Sequence, residues 1–334
     1  MLTCKKESPV SPPSGQDTTS HNFEWIQHTF GGPNGSSGFK DVAVVSDTDI
    51  WAVGEIYMAS DTLYNAAHWN GREWELERVP YYYQSQPLYN SINSVFAFNS
   101  NDVWFGIGSL IHWDGHNFNP VDLSNVLGPH SIYKIWGTSN SGFYIVGDRG
   151  AIAFYDGSNW TKQASATTID LRDIWGTPDG SVVWASGYSN DNSQSVLLKS
   201  DGTTWTTVWS SHPSAPPYGG LIESLWGDEH LYLVGTDGAY KQDVTGETNI
   251  QHLFTLTHFP YRVKGSSEDN IAFVGDNAMI YHYNGSTWQL LNYSGLDQPL
   301  YSVAVSTNLI VAVGSDYTIG FGAALIYFGK RSFN

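Results

Sequence analysis

Seven times along the chain a short β-forming run ends in glycine: Trp51 to Gly54, Val103 to Gly106, Tyr144 to Gly147, Trp184 to Gly187, Tyr232 to Gly235, Phe273 to Gly275 and Val311 to Gly314. The glycines are spaced by 52, 41, 40, 48, 40 and 39 residues. A period near 40 that contains only strand-like segments implies radial repetition of small sheets, a β-propeller. The expected fold is therefore all-β, a seven-bladed propeller of four-stranded antiparallel blades. Such a ring is a scaffold, so it fixes architecture without fixing activity.

The third repeat shows the unit most openly. Tyr133 to Trp136 reads as strand A, Gly137 to Gly142 as a polar turn, Phe143 to Gly147 as strand B, Ala151 to Tyr155 as strand C and Trp160 onward as strand D. Each run is short, rich in aromatic and β-branched residues, and bounded by Gly, Asn, Asp or Ser. The C to D connection recurs as Asn70-Gly71-Arg72-Glu73-Trp74, Asp114-Gly115-His116-Asn117-Phe118, Asp156-Gly157-Ser158-Asn159-Trp160, Asp201-Gly202-Thr203-Thr204-Trp205 and Asn284-Gly285-Ser286-Thr287-Trp288. Asn-Gly and Asp-Gly supply the positive φ that a tight hairpin needs. With strand A endings such as Ile135-Trp136-Gly137 and Ile174-Trp175-Gly176, these hairpins resemble the aspartate box of sialidase-type and photosystem-assembly-factor propellers. The resemblance covers residues 23–334 and implies an architecture rather than an activity.

The last repeat runs out after Leu325 to Phe328, with no strand D before Asn334. The missing strand is expected at the other end, where Glu24 to Phe30 has the pattern of Glu73 to Val79 and Ser286 to Leu291. An N-terminal strand would then complete the last blade and remove an open sheet edge. The domain division that follows is a tether over residues 1–22 and one propeller over 23–334.

Fifteen basic against 32 acidic residues give a formal charge of -17, which repels a phosphate backbone and argues against nucleic acid. Cys4 is the single cysteine, so no internal disulfide forms. Met1-Leu2-Thr3-Cys4-Lys5-Lys6-Glu7, followed by a Ser/Pro/Gly/Thr stretch, resembles the cleavage box and tether of bacterial lipoproteins. That resemblance implies lipidation at Cys4, a bacterial cell-envelope location (periplasmic or cell-surface), and membrane contact only through the lipid anchor. The alternative is an N-terminal tail whose cysteine is incidental.

Up-and-down blades place the B to C and D to A connections on one face. The long segments, 55–66, 80–91, 120–130, 188–195, 211–220 and 315–323, all belong to that face, where ligand contacts usually reside. Among their tyrosines, Tyr82, Tyr83, Tyr188, Tyr218 and Tyr317 are candidate ligand contacts; the alternative is that they pack on one another to hold the loops down. At the start of each strand A, around the mouth of the central channel on the same face, matching positions hold Lys40, Asn93, Tyr133, Arg172, Glu223, Tyr261 and Tyr301. Convergent polar groups there form a second candidate site. The next positions, Asp41, Ser94, Lys134, Asp173, Ser224, Arg262 and Ser302, are equally polar, and strand alternation would turn only one of the two sets to the channel.

No zinc-protease helix, nucleophile elbow, phosphate loop or dinucleotide fingerprint occurs. His68, His112 and His282 repeat before the hairpins of three blades, which points to a structural role. Asn190-Asp191-Asn192 could contribute calcium ligands or form a solvated loop. The expected function is non-enzymatic binding of a glycan or an envelope protein through the elaborated face, by a monomer without cofactor or metal and with no catalytic residues. The alternatives are a hydrolase or lyase acting on a polysaccharide or sialoside at the channel mouth, and a scaffold subunit of an envelope complex.

Overall fold

A computed structural model describes residues 19–32, 35–58, 62–84, 86–211, 217–246 and 249–332. Cys4 and the tether expected around it lie outside the described residues. Seven four-stranded antiparallel sheets surround one axis, and a two-stranded hairpin, Tyr81–Tyr83 with Gln86–Leu88, projects from the connection after blade 1. Blade 1 runs from strand A, Gly38–Ser46, through Asp49–Tyr57 and Leu63–Trp69 to strand D, Trp74–Glu77. Blades 2 to 6 repeat that order, with strands A at Ser94–Asn99, Ile132–Ser139, Leu171–Gly176, Ile222–Gly227 and Pro260–Ser267. The helical elements among the described residues are two single 3-10 turns, Asp148–Gly150 and Asp276–Ala278.

The repeated glycine is explained by a close approach of backbones. A methyl group on Gly187 would lie 1.9 Å from the carbonyl oxygen of Asp170, and one on Gly147 would lie 2.0 Å from that of Ser131. The end of strand B therefore sits against the chain that leads into strand A of its own blade, and only glycine fits. Strand B is apolar on both faces because each face meets a different neighbour. Trp51 and Val53 pack toward blade 2, whereas Ile50 and Ala52 pack toward blade 7.

The recurrent hairpins share one geometry. Asp156 Oδ1 accepts hydrogen bonds from the amides of Ser158 and Asn159 at 2.8 and 2.7 Å, and Asp201, Asp114, Asn70 and Asn284 do the same. The repeated histidines are structural, as their spacing implied. His68 and His112 stack on Trp51 and Trp104 and bond Asp49 and Asp102 at 2.8 Å, while buried His282 bonds Asn270.

Blade 7 consists of Leu300–Val305, Leu309–Asp316, Ala323–Arg331 and, as its outermost strand, Phe23–Phe30. Eight consecutive pairs, from Phe23 with Arg331 to Phe30 with Ala324, close the ring as expected. Phe23 and Trp25 pack toward blade 6, and Phe30 meets Phe39 of blade 1. Strand D ascends from the short-turn face to the loop face. Consequently Thr19, whose hydroxyl bonds the Asp269 carbonyl in the A to B turn of blade 6, lies on the short-turn face.

Candidate functional site

In six blades the pairing of strand A with strand B slips by one residue at the same place. The slips fall between Phe39 and Asp41, Ile132 and Lys134, Leu171 and Asp173, Ile222 and Ser224, Pro260 and Arg262, and Leu300 and Ser302. The skipped residue is Lys40, Tyr133, Arg172, Glu223, Tyr261 or Tyr301. A bulge re-aims the side chain it carries, and here it delivers two consecutive side chains per blade to the axis instead of the one that alternation allows. Both polar sets therefore converge, one as a ring at the mouth and one as a ring beneath it.

The lower ring is a buried ionic plug. Asp41 accepts from Lys134 Nζ at 2.6 Å, Ser302 Oγ at 2.7 Å and the Val95 amide at 3.0 Å, joining blades 7, 1, 2 and 3. Asp173 accepts from Ser224 Oγ at 2.6 Å and the Leu225 amide at 3.0 Å and pairs with Arg262 and Lys264, joining blades 4, 5 and 6. Burial alone would raise the Asp173 carboxyl, but Lys264, Arg262 and Lys134 together hold it below the ordinary carboxylate range. All seven blades are thus tied at the axis by two carboxylates.

In the upper ring, contacts pass from blade to blade. Lys40 Nζ donates to Asn93 Oδ1 at 3.1 Å. The Arg172 guanidinium lies 5.1 Å from the ring centre of Tyr133 and 4.7 Å from that of Tyr188, and donates to Asn190 Oδ1 at 2.7 Å and Asp170 Oδ2 at 3.3 Å. Tyr188 hydrogen-bonds Glu223, and burial with that carboxylate pushes its hydroxyl up to about 12. Glu223 is 7% exposed, and burial raises its carboxyl to about 7 despite Tyr188, Arg262 and Arg172. Tyr261 donates to Asp276 at 3.0 Å, its ring meets that of Tyr301 edge-on at 5.4 Å, and Tyr301 and Tyr317 share a hydroxyl contact of 3.3 Å.

The loop residues divide. Tyr317 is 42% exposed and, with Lys40, Glu55 and Tyr301, lines a cavity of about 280 Å³ between blades 7 and 1. Its amide donates to the carbonyl of Asp297 in the neighbouring blade 6 loop, and Leu296 in that loop and Ile319 and Phe321 in its own are exposed, the last by 69%. Tyr82 is exposed on the small hairpin. The side chain of Tyr83 lies outside the described residues. Tyr218 corrects the expectation: it is 1% exposed, packs edge-on against Trp209 and Tyr240, and hydrogen-bonds Gln242. Its loop folds it into the blade 5 core, where it cannot meet a ligand. Asp191 is occupied by the hydroxyls of Ser189 and Ser193, and Asn190 serves Arg172. Leu296 and Ile319 escaped the sequence reading; their signal is an aliphatic residue within a surface connection, Leu296 between Gly295 and Asp297 and Ile319 between Tyr317 and Phe321.

No family model and no curated protein matches the chain. Solved structures match it throughout. A structure of YCF48 bound to D1 peptide is 17% identical, with a TM-score of 0.63, over 97% of this chain and 100% of that one. YCF48 from Cyanidioschyzon merolae is 14% identical, with a TM-score of 0.65, over 92% and 98%. A catalytically inactive virginiamycin B lyase from Staphylococcus aureus with quinupristin is 12% identical, with a TM-score of 0.59, over 92% and 100%. At these identities the likeness is one of fold.

Proposed function

We propose that the chain is a non-enzymatic recognition propeller that binds an extended peptide or protein segment across the loop face, over the seam of blades 7 and 1. The observation that carries this reading is the cavity lined by Lys40, Glu55, Tyr301 and Tyr317, with exposed Ile319 and Phe321 on the loop of Tyr317 and exposed Leu296 beside Asp297, whose carbonyl accepts the Tyr317 amide. Paired polar groups suit a peptide backbone, and exposed apolar residues suit its side chains. A glycan is less well served, since sugar stacking needs open ring faces. Those of Tyr133 and Tyr188 are engaged by Arg172, and Tyr261 is packed against Tyr301. A solved neighbour of the same fold holds a peptide, in agreement with this choice.

The cell-envelope location, with a lipid on Cys4, belongs to the same proposal. Expressed behind a complete signal peptide, the protein is expected to fractionate with membranes, and Cys4→Ser to become soluble; two soluble forms would remove the anchor. The binding reading is tested by a random-peptide display selection run beside a glycan array. Selected peptides that bind one-to-one support it, and a saturable glycan without any peptide overturns it.

One observation favours a second reading, an acid–base enzyme at the mouth. Glu223, buried beside Tyr188 and with its carboxyl raised to about 7, is poised to exchange a proton at neutral pH. Turnover of a polysaccharide or sialoside that Glu223→Gln abolishes would establish it.

A further inference from the structure

Below the ionic plug the channel is a different chamber. A cavity of about 270 Å³ is walled by the far ends of strands A, by Val44, Phe96, Trp136, Trp175, Trp226 and Ala304 among others. It lies toward the short-turn face, opposite the proposed peptide surface, and the plug separates the two. Its asymmetry is written in one repeat position. Trp136, Trp175 and Trp226 fill that position in blades 3 to 5 and Phe96 in blade 2, whereas blades 7 and 1 carry Ala304 and Ala43. The indoles of Trp136, Trp175 and Trp226 lie over Gly176, Gly227 and Gly265 of the following strands A, whereas Ala304 and Ala43 stand beside Val44 and Ala97, and these side chains together border the cavity.

The charged side chains that line this chamber are both cationic, Lys134 and Lys264. Their partners Asp41 and Asp173 are not part of the lining. Lys264 Nζ is saturated by Asp173 and the Leu225 carbonyl. Lys134 Nζ makes one hydrogen bond among the described residues, to Asp41, and an ammonium has three donors. The plug itself holds three cations, Lys134, Arg262 and Lys264, against the two aspartates, with the buried Glu223 carboxyl also facing Arg262, whose Nε has no hydrogen-bond partner among the described residues. Burial disfavours the ammonium form of both lysines, bringing Lys264 down to about 8, so the complement of this mixed polar and apolar chamber is an anion that would hold them charged.

We propose that this chamber binds a small amphipathic monoanion, a medium-chain or aryl carboxylate whose head meets Lys134 and whose body lies among Trp136, Trp175, Trp226, Ala43 and Ala304. At roughly 30 Å³ for each water-sized group, the chamber holds about nine heavy atoms, close to the size of octanoate. Pockets of this kind, apolar with a few convergent polar groups, are the usual form of small-molecule sites.

The test is calorimetric titration of the full chain with octanoate and, separately, with octanol, followed in parallel by tryptophan fluorescence. One-to-one binding of octanoate, at least tenfold tighter than octanol and accompanied by a fluorescence change, is expected. Ala43→Phe places in blade 1 the residue type that blade 2 already carries and should abolish binding while the melting curve stays cooperative. Ala304→Leu, a smaller filling, should weaken it at least tenfold and covers the case in which Ala43→Phe does not fold. Absence of saturable octanoate binding, equal affinity for octanol, or undiminished binding by a folded filled variant would each overturn the proposal.

Discussion

Asp41 and Lys134 are 93 residues apart in sequence and meet at 2.6 Å on the propeller axis, both almost fully buried. Their pairing joins blade 1 to blade 3, and Asp41 adds blades 7 and 2 through Ser302 and Val95. A buried pair of this kind stabilises chiefly in the sense that neither partner tolerates the loss of the other. Asp41→Asn and Lys134→Met should each lower stability by about 3–5 kcal/mol, and the double variant should lose less than their sum. Strict additivity in denaturant melts would show that the two residues are not coupled.

Glu223 gives the protein a pH signature of opposite sign to that of Asp173. Its carboxyl is raised to about 7 in the folded state, first by burial. The folded state therefore holds the proton more tightly than the unfolded chain. The stabilisation is complete below the unfolded carboxyl value, near 4.3, and is lost as pH rises through about 7. Thermal melts should show the wild type losing on the order of 3 kcal/mol across that window, with Glu223→Gln nearly flat there. A wild-type profile parallel to that of the variant would mean that Glu223 titrates normally. Asp173, held low by its cations, behaves in the reverse way: its contribution is present above the unfolded carboxyl range and disappears in stronger acid.

The ring closure predicts a sharp boundary in truncations. Deleting residues 1–18 should leave the melting temperature unchanged. Deleting 1–30 removes the strand paired with Ala323–Arg331, uncovers Phe39 and Phe328, and should abolish a cooperative transition. Equal melting temperatures for the two truncations would contradict closure.

The architecture could be read from the chain because its causes repeat. Six close backbone approaches, and in blade 2 the side chains of Ser94 and Ile132 against Gly106, demand the seven glycines, five hairpins demand Asn or Asp before glycine, and a last blade short of one strand points to the first strand of the chain. The site was legible only in part. Lys40, Arg172, Glu223 and Tyr301 could be placed at the mouth by repeat position. That Asp41 and Lys134 face the same axis could not, because the bulge at Lys40 or Tyr133 depends on the register of strand A against strand B rather than on local composition. Tyr218 shows the other limit: a tyrosine in a long connection looks like a contact residue until the path of that connection is known. Here it turns inward to Gln242.

The proposed peptide-binding surface is the loop face at the seam of blades 7 and 1. Its most direct test is calorimetric titration of a display-selected peptide against the wild type, Tyr317→Ala, Phe321→Ala and, as a control in the opposite chamber, Ala43→Phe. Each of the two loop substitutions should weaken binding by about 1–3 kcal/mol, as truncation of a contact anchor does, and Ala43→Phe should leave it unchanged. Binding that survives both loop substitutions intact, or that only Ala43→Phe removes, would contradict the proposal.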